Sequence, residues 1–288
     1  MKQHDLIVLS VATSEISDNS IEKFVNSMNF HNYNFKILGR HLKWSGFQSK
    51  TKICIDEIEN IKNLYKYTVI CDCTDVFVTA PPQTLIDILN FDPKIYIGAE
   101  HIPYYNKGKN TYQKIISFLQ SINSNTSFSP YPNGGFLCGP TLDLLKIIEK
   151  NLEYIDDQAG YMDAIFNGTN ICIDYNNIIV SNIPNYNYFP YSLNNLTRTI
   201  INQYKHDKIL NRFYNTTTLQ YPIFLHFPGK NFSVMNNFYN VITHQEPCIN
   251  YDIKTDNKSI FISVFIVISI FILLYITYIS YYYLNFNM

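Results

Sequence analysis

Tyr67-Thr-Val-Ile-Cys71-Asp72-Cys-Thr-Asp75-Val-Phe77 is an apolar run that ends in two carboxylates three positions apart. Side chains alternate across a strand, so positions i and i+3 of a regular strand point to opposite faces. The chain must therefore turn after Cys73 if Asp72 and Asp75 are to converge. Two carboxylates converging at a strand end make a hard-oxygen site for Mg²⁺ or Mn²⁺, above all one shared with a diphosphate. The same residues also suit a plain polar turn, where Asp and Thr are common.

Working outward, the flanking segments alternate between strand and helix patterns. Residues 5–12 are a nearly continuous apolar run, as a strand buried on both faces requires. Residues 20–28 carry Ile21, Phe24, Val25 and Met28 at helical spacing. Residues 34–39 read as a second strand, 50–65 as a helix with Cys54, Ile58, Ile61 and Tyr65 on one side, and 67–71 as a third strand. Residues 82–89 form a short helix opened by Pro81-Pro82, and 95–99 a further strand. This β-α-β-α-β-α-β order implies a mostly parallel sheet with helices on both faces. Ligands of such sheets bind beyond the carboxyl ends of the strands, where Asp72, Asp75 and the residues from Val11 to Ser14 all lie.

The second half is less regular. Helices are expected over 111–122, over 141–152 with Thr141 as its cap, and over 156–166 with an acidic start. Residues 130–139 read as a Gly-rich turn and strand, 170–175 and 177–180 as short strands, and 223–226 as a strand entering Phe227-Pro-Gly-Lys230. Residues 181–220, rich in Asn and Tyr, match no pattern.

Composition narrows the class. Across 288 residues, 22 Lys+Arg stand against 23 Asp+Glu, a balance that argues against nucleic acid as the partner. The six cysteines form no CxxC pair and no zinc-spaced cluster. Most sit in apolar stretches, as reduced, buried thiols do. The N-terminus has too short an apolar run for a signal peptide. From Ser259 to Met288 there is no charged residue, and the run is long enough for a bilayer-spanning helix. Tyr281, Tyr282 and Tyr283 would anchor its far interface. Lys254 and Lys258 flank the near side, which places the bulk of the chain in the cytosol. The expected organisation is a soluble domain over 1–232, a stem over 233–258 and a single-pass C-terminal anchor over 259–284.

Six pieces in order carry a resemblance: Val11-Ala-Thr13-Ser-Glu15; Leu38-Gly39 with Trp44-Ser-Gly46 and Lys50; Asp72-Cys-Thr-Asp75; Tyr131-Pro-Asn133-Gly134-Gly135-Phe136; Asp156-Asp157-Gln158; and His226 before Gly229-Lys230. Over roughly residues 5–232 the chain resembles the glycosyltransferase domain of the procollagen lysyl hydroxylases. The resemblance implies a GT-A-like, Rossmann-like α/β fold and a hexosyltransferase. The donor would be UDP-glucose or UDP-galactose, and the acceptor a hydroxyl on a protein, glycan or lipid. It implies Mn²⁺ or Mg²⁺ held by Asp72, Asp75 and His226. Val11 and Thr13 would meet the nucleoside, Trp44 the uracil or ribose, Lys50 and Lys230 the phosphates, Gly134 and Gly135 the sugar, and Asp156 and Asp157 the reacting carbon.

Each residue also has a plainer reading. His226 could bond backbone at a strand end. Lys50 could be a solvated helix-start lysine. Trp44 could fill a loop core, Gly134-Gly135 an ordinary hairpin, and Asp156-Asp157 a helix N-terminus. For the whole chain the competitor is a membrane-anchored UDP-sugar-binding or structural protein of the same fold without turnover.

Overall fold

In a computed structural model, the described residues are 4–101, 114, 117, 118, 121, 131–184, 199–229 and 231–244. All of them fall in the first of the chain's two compact units, Met1–Ile249. The strands are β1 (His4–Val11), β2 (Phe35–Leu38), β3 (Tyr65–Cys71), β4 (Val76–Val78), β5 (Ile95–Glu100), β6 (Tyr131–Pro140), β7 (Ile171–Ile173), β8 (Val180–Asn182), β9 (Tyr204–Asp207), β10 (Arg212–Asn215) and β11 (Phe224–His226). The helices are α1 (Asp18–Phe30), α2 (Phe47–Ile61), α3 (Pro82–Phe91), α4 (Thr141–Asn151), α5 (Asp157–Phe166) and α6 (Phe232–His244).

The main sheet runs β2-β1-β3-β6-β5-β7. β1 pairs parallel with β2 and β3, and β5 parallel with β7, while β6 runs antiparallel to both of its neighbours. The apolar run at the N-terminus has the predicted cause. Leu6 and Val8 pack on one face with Phe24, Met28 and Leu85, and Ile7 and Leu9 pack on the other with Cys54, Ile58 and Leu144. A strand covered on both faces has no solvent side to keep polar. Each such Ile or Leu contributes on the order of 1.5–3 kcal/mol through burial.

Several features differ from the sequence expectation. The helix read over 50–65 spans Phe47–Ile61, and Tyr65 opens β3 instead. The Gly-rich stretch holds no hairpin: residues 131–140 form β6, and the β5–β6 register shifts between Ile97 and Gly98, so that Ile97 faces Leu137 but Gly98 faces Asn133. The extra residues of β6, including Gly134 and Gly135, therefore leave the ladder as a bulge. The strand expected over 177–180 starts instead at Val180, because the Asp174 carboxylate accepts the N–H groups of Ile178 (3.0 Å), Ile179 (2.7 Å) and Val180 (2.8 Å). Thr141 does not cap α4. It is the first helical residue, with Pro140 at the cap position, and its hydroxyl lies 3.0 Å from that of Thr68.

A second sheet, β4-β11-β8, was not anticipated, nor was the β9–β10 hairpin. Where the stem was expected to begin, α6 packs on the domain. Its Phe238 meets Phe213, Tyr204 and Phe227 at ring-centroid distances of 4.3, 5.7 and 5.6 Å. Of the helix expected over 111–122, Lys114, Ser117, Phe118 and Ser121 are described and helical. Among the described residues no helix is long and apolar enough to cross a membrane. The segment 259–284 and Lys230 lie outside the described residues.

Candidate functional site

The turn after Cys73 is present. β3 stops at Cys71, the chain bends through residues 72–75, and β4 begins at Val76. β11 pairs antiparallel with β4 and sets His226 opposite Val76. One ligand atom from each of Asp72, Asp75 and His226 lies within 4.8 Å of the others. His226 Nε2 stands 3.7 Å from Asp75 Oδ2 and 4.0 Å from Asp72 Oδ2. Nε2 is buried and has no hydrogen-bond partner among the described residues. Burial opposes charge on this ring, yet Asp75, Asp72 and Glu100 outweigh it and raise the imidazole above its ordinary value. Two carboxylates and an orphaned imidazole nitrogen facing one point form a donor set that could hold a divalent cation.

Gly135 leaves the space for this cluster. A Cβ there would lie 2.4 Å from His226 Cε1 and 2.9 Å from Asp72 Oδ2. Its carbonyl accepts the Asp72 N–H at 2.9 Å, and its N–H donates to Asn133 Oδ1 at 2.8 Å. The bulge in β6 is thus tied to the acidic turn on one side and to its own strand on the other.

Lys50, in the first turn of α2, is buried rather than solvated. Its ammonium lies 2.7 Å from Asp72 Oδ1 and 3.7 Å from Asp157 Oδ2, and 3.5 Å from the Gly134 carbonyl. Burial would discharge it, but the two carboxylates overcome that and hold its pKa well above the usual lysine value. Asp157 is buried, and burial pushes its carboxyl up to about 6 against the pull of Lys50, with Asp72 and Asp156 adding to the rise. A Cβ on Gly134 would come within 2.9 Å of Asp157 Oδ1. The Asp pair therefore divides. Asp156 caps α5 by accepting the Gln158 N–H at 3.0 Å, while Asp157 turns inward to Lys50 and the bulge.

A second group gathers at the end of β1. Thr13 is buried and donates to Glu15 Oε2 at 2.7 Å, and the Trp44 N–H donates to the same oxygen at 3.0 Å. Gly39, with φ +76°, lies where a Cβ would be 3.4 Å from Val11 Cγ1 and 4.0 Å from Thr13 Cγ2. Trp44 is 44% exposed and meets Phe47 edge-on at 5.7 Å, so it fills no core. β1 and β3 are adjacent and parallel, which sets Val11 and Asp72 at the same sheet edge. Cys73 Sγ lies 3.7 Å from the Val11 carbonyl and joins the two groups.

Asn133, Glu15 and Gln158 stood inside the motifs but carried no assigned role. Glu100 and Asn182 were missed altogether. Asn182 fell in the stretch without pattern, and its Oδ1 lies 2.7 Å from His226 Nδ1. The described cysteines are all unpaired. Burial pushes Cys54 up to about 12 and Cys73 to about 11, which makes both poor nucleophiles.

A family model described as the PLOD GT domain matches residues 2–248. No curated protein sequence matches the chain significantly. Among solved structures, a glycosyltransferase involved in glycosylation of the major capsid of PBCV-1 aligns at TM-score 0.48 and 11% identity, over 81% of this chain and 98% of that one. Mouse xyloside xylosyltransferase 1 aligns at TM-score 0.43 and 10% identity, over 78% of this chain and 97% of that one. The bifunctional glycosyltransferase WbbM aligns at TM-score 0.43 and 11% identity, over 83% of this chain and 50% of that one.

Proposed function

The chain belongs to the PLOD glycosyltransferase-domain family, and from that premise we propose a metal-dependent hexosyltransferase that moves glucose or galactose from its UDP conjugate to a hydroxyl acceptor. One observation carries the metal reading: a buried His226 Nε2 with no hydrogen-bond partner among the described residues, facing two carboxylates across a gap kept open by Gly135. Asp72, Asp75 and His226 would hold Mn²⁺ or Mg²⁺. When bound, the ion supplies Lewis-acid stabilisation of the charge that develops on the departing diphosphate.

The chain's own residues supply the rest. Lys50 is a cation held between Asp72 and Asp157 at the same point, and its charge would attract phosphate oxygens. Val11, Thr13 and the loop carrying Trp44, held by Glu15, form the nucleoside end of the same edge. Asp157, poised near neutrality beside the bulge, is placed to accept a hydrogen bond or a proton from a sugar or acceptor hydroxyl. Asp156 holds the start of α5 and so the position of Asp157. Lys230 is assigned to phosphate by the family resemblance alone. The uncharged stretch 259–284 is proposed as a C-terminal membrane anchor with the catalytic domain on the cytosolic side, supported by its length and its flanking lysines.

The test is UDP release from UDP-glucose and UDP-galactose with and without Mn²⁺. Asp72→Asn and Asp75→Asn should each lower turnover on the order of 100-fold, the scale of losing one electrostatic stabiliser. Undiminished turnover in either variant removes the mechanism.

A further inference from the structure

Asn182 contributes no ligand atom to the acidic cluster, yet its contacts decide what His226 offers there. β8 runs parallel to β11, and their register sets Asn182 directly beside His226. The amide is buried. Its Nδ2 donates to the Ala99 carbonyl at 2.6 Å, and its Oδ1 lies 2.7 Å from His226 Nδ1. A carbonyl oxygen only accepts, so the group facing Ala99 has to be the NH₂ end of the side chain. The other end, Oδ1, also only accepts. His226 Nδ1 must therefore carry the hydrogen. A neutral imidazole has one N–H, which leaves Nε2 as the lone pair. Nε2 is the atom that faces Asp72 and Asp75. Gly98 leaves room for the amide, since a Cβ there would lie 3.1 Å from Asn182 Nδ2.

We propose that Asn182 is a positioning residue that locks His226 in its Nδ1–H form and so presents the Nε2 lone pair to a divalent cation. This rests on the metal-dependent reading above. The chemistry is that of an outer-shell acceptor, which orients a ligating imidazole and raises its donor strength. Without the Oδ1 acceptor the ring could carry its hydrogen on Nε2, toward Asp75, where it would block the cation.

Two measurements test it on the full chain in detergent. Long-range ¹H–¹⁵N correlation of ¹⁵N-histidine protein, metal-free and at a pH where His226 is neutral, reads the tautomer directly, with His226→Asn assigning the signal. The expected spectrum has the hydrogen on Nδ1; a wild-type ring with it on Nε2 overturns the proposal. Mn²⁺ affinity, read from the electron-spin resonance of free Mn²⁺, should fall about 10- to 100-fold in Asn182→Leu. It should stay within about tenfold in Asn182→Asp, which keeps an acceptor for Nδ1–H. A folded Leu variant that binds as tightly as wild type, or an Asp variant as weak as Leu, overturns it. If Asn182→Leu fails to fold, the wild-type spectrum and the Asp variant decide. Wild-type protein that binds no Mn²⁺ ends the metal reading, while the tautomer still decides what Asn182 does to His226.

Discussion

At the residue scale, the site is a set of charges whose positions are mutually enforced. Lys50 neutralises one oxygen of Asp72 and leaves the other facing His226. Gly135 tests how tight the arrangement is. Gly135→Ala would drive a methyl into the His226 ring, so Mn²⁺ binding should be lost and stability should drop by about 1–3 kcal/mol, the usual cost of overpacking. Thermal melts with and without Mn²⁺ check both, and unchanged Mn²⁺ stabilisation would refute it. Protons compete at the same point. The His226 pKa is raised in the folded protein, so without metal its favourable charge is fully present below the unfolded value of about 6.5 and is lost as pH rises through the folded value. Metal-free protein should therefore lose stability as pH climbs above about 6.5, and Mn²⁺ stabilisation should grow over the same range as the Nε2 proton leaves. A melting series at fixed Mn²⁺ reads this; Mn²⁺ stabilisation independent of pH contradicts it.

At the element scale, short strands and turns decide where Asp72, Asp75 and His226 meet. Asp174 takes three successive N–H groups, and this delays β8 until Val180 and brings Asn182 level with His226. Asp174→Asn replaces one acceptor oxygen with a donor and should cost about 1–3 kcal/mol, the penalty for buried groups left unpaired. Chemical denaturation measures it, and a change within a few tenths of a kcal/mol would show that the turn holds without the carboxylate. Asp156 and Asp157 show why adjacent identical residues take different roles. At the start of a helix the cap side chain bends back to the N2 or N3 N–H, whereas the next residue is carried around the turn, here toward Lys50.

At the scale of the whole molecule, Asn182 of β8 bonds the Ala99 carbonyl of β5 and so ties the second sheet to the main one, and α6 packs Phe238 on Phe213 and Phe227, and Tyr239 on Phe77. A fragment ending at 232, without α6, should fail to fold cooperatively, whereas one ending at 248 should melt as a unit. A cooperative melt for the shorter fragment would return 233–248 to the role of a stem. Much of this architecture was legible locally. The two-faced burial of β1, the Asp72-Asp75 turn and the helix start at Pro82 follow from apolar periodicity, the strand period and proline geometry, all set by near neighbours in the chain. Not legible were the antiparallel course of β6, the bulge at Gly134-Gly135, the second sheet and the Asn182–His226 pair. Those depend on registers between segments tens of residues apart, where a strand's partner is chosen by packing and no local pattern records it. The amino-acid order by itself determined which acidic, basic and imidazole side chains were available to a site. Only the tertiary structure decided which of them meet, because convergence is a property of strand order and register.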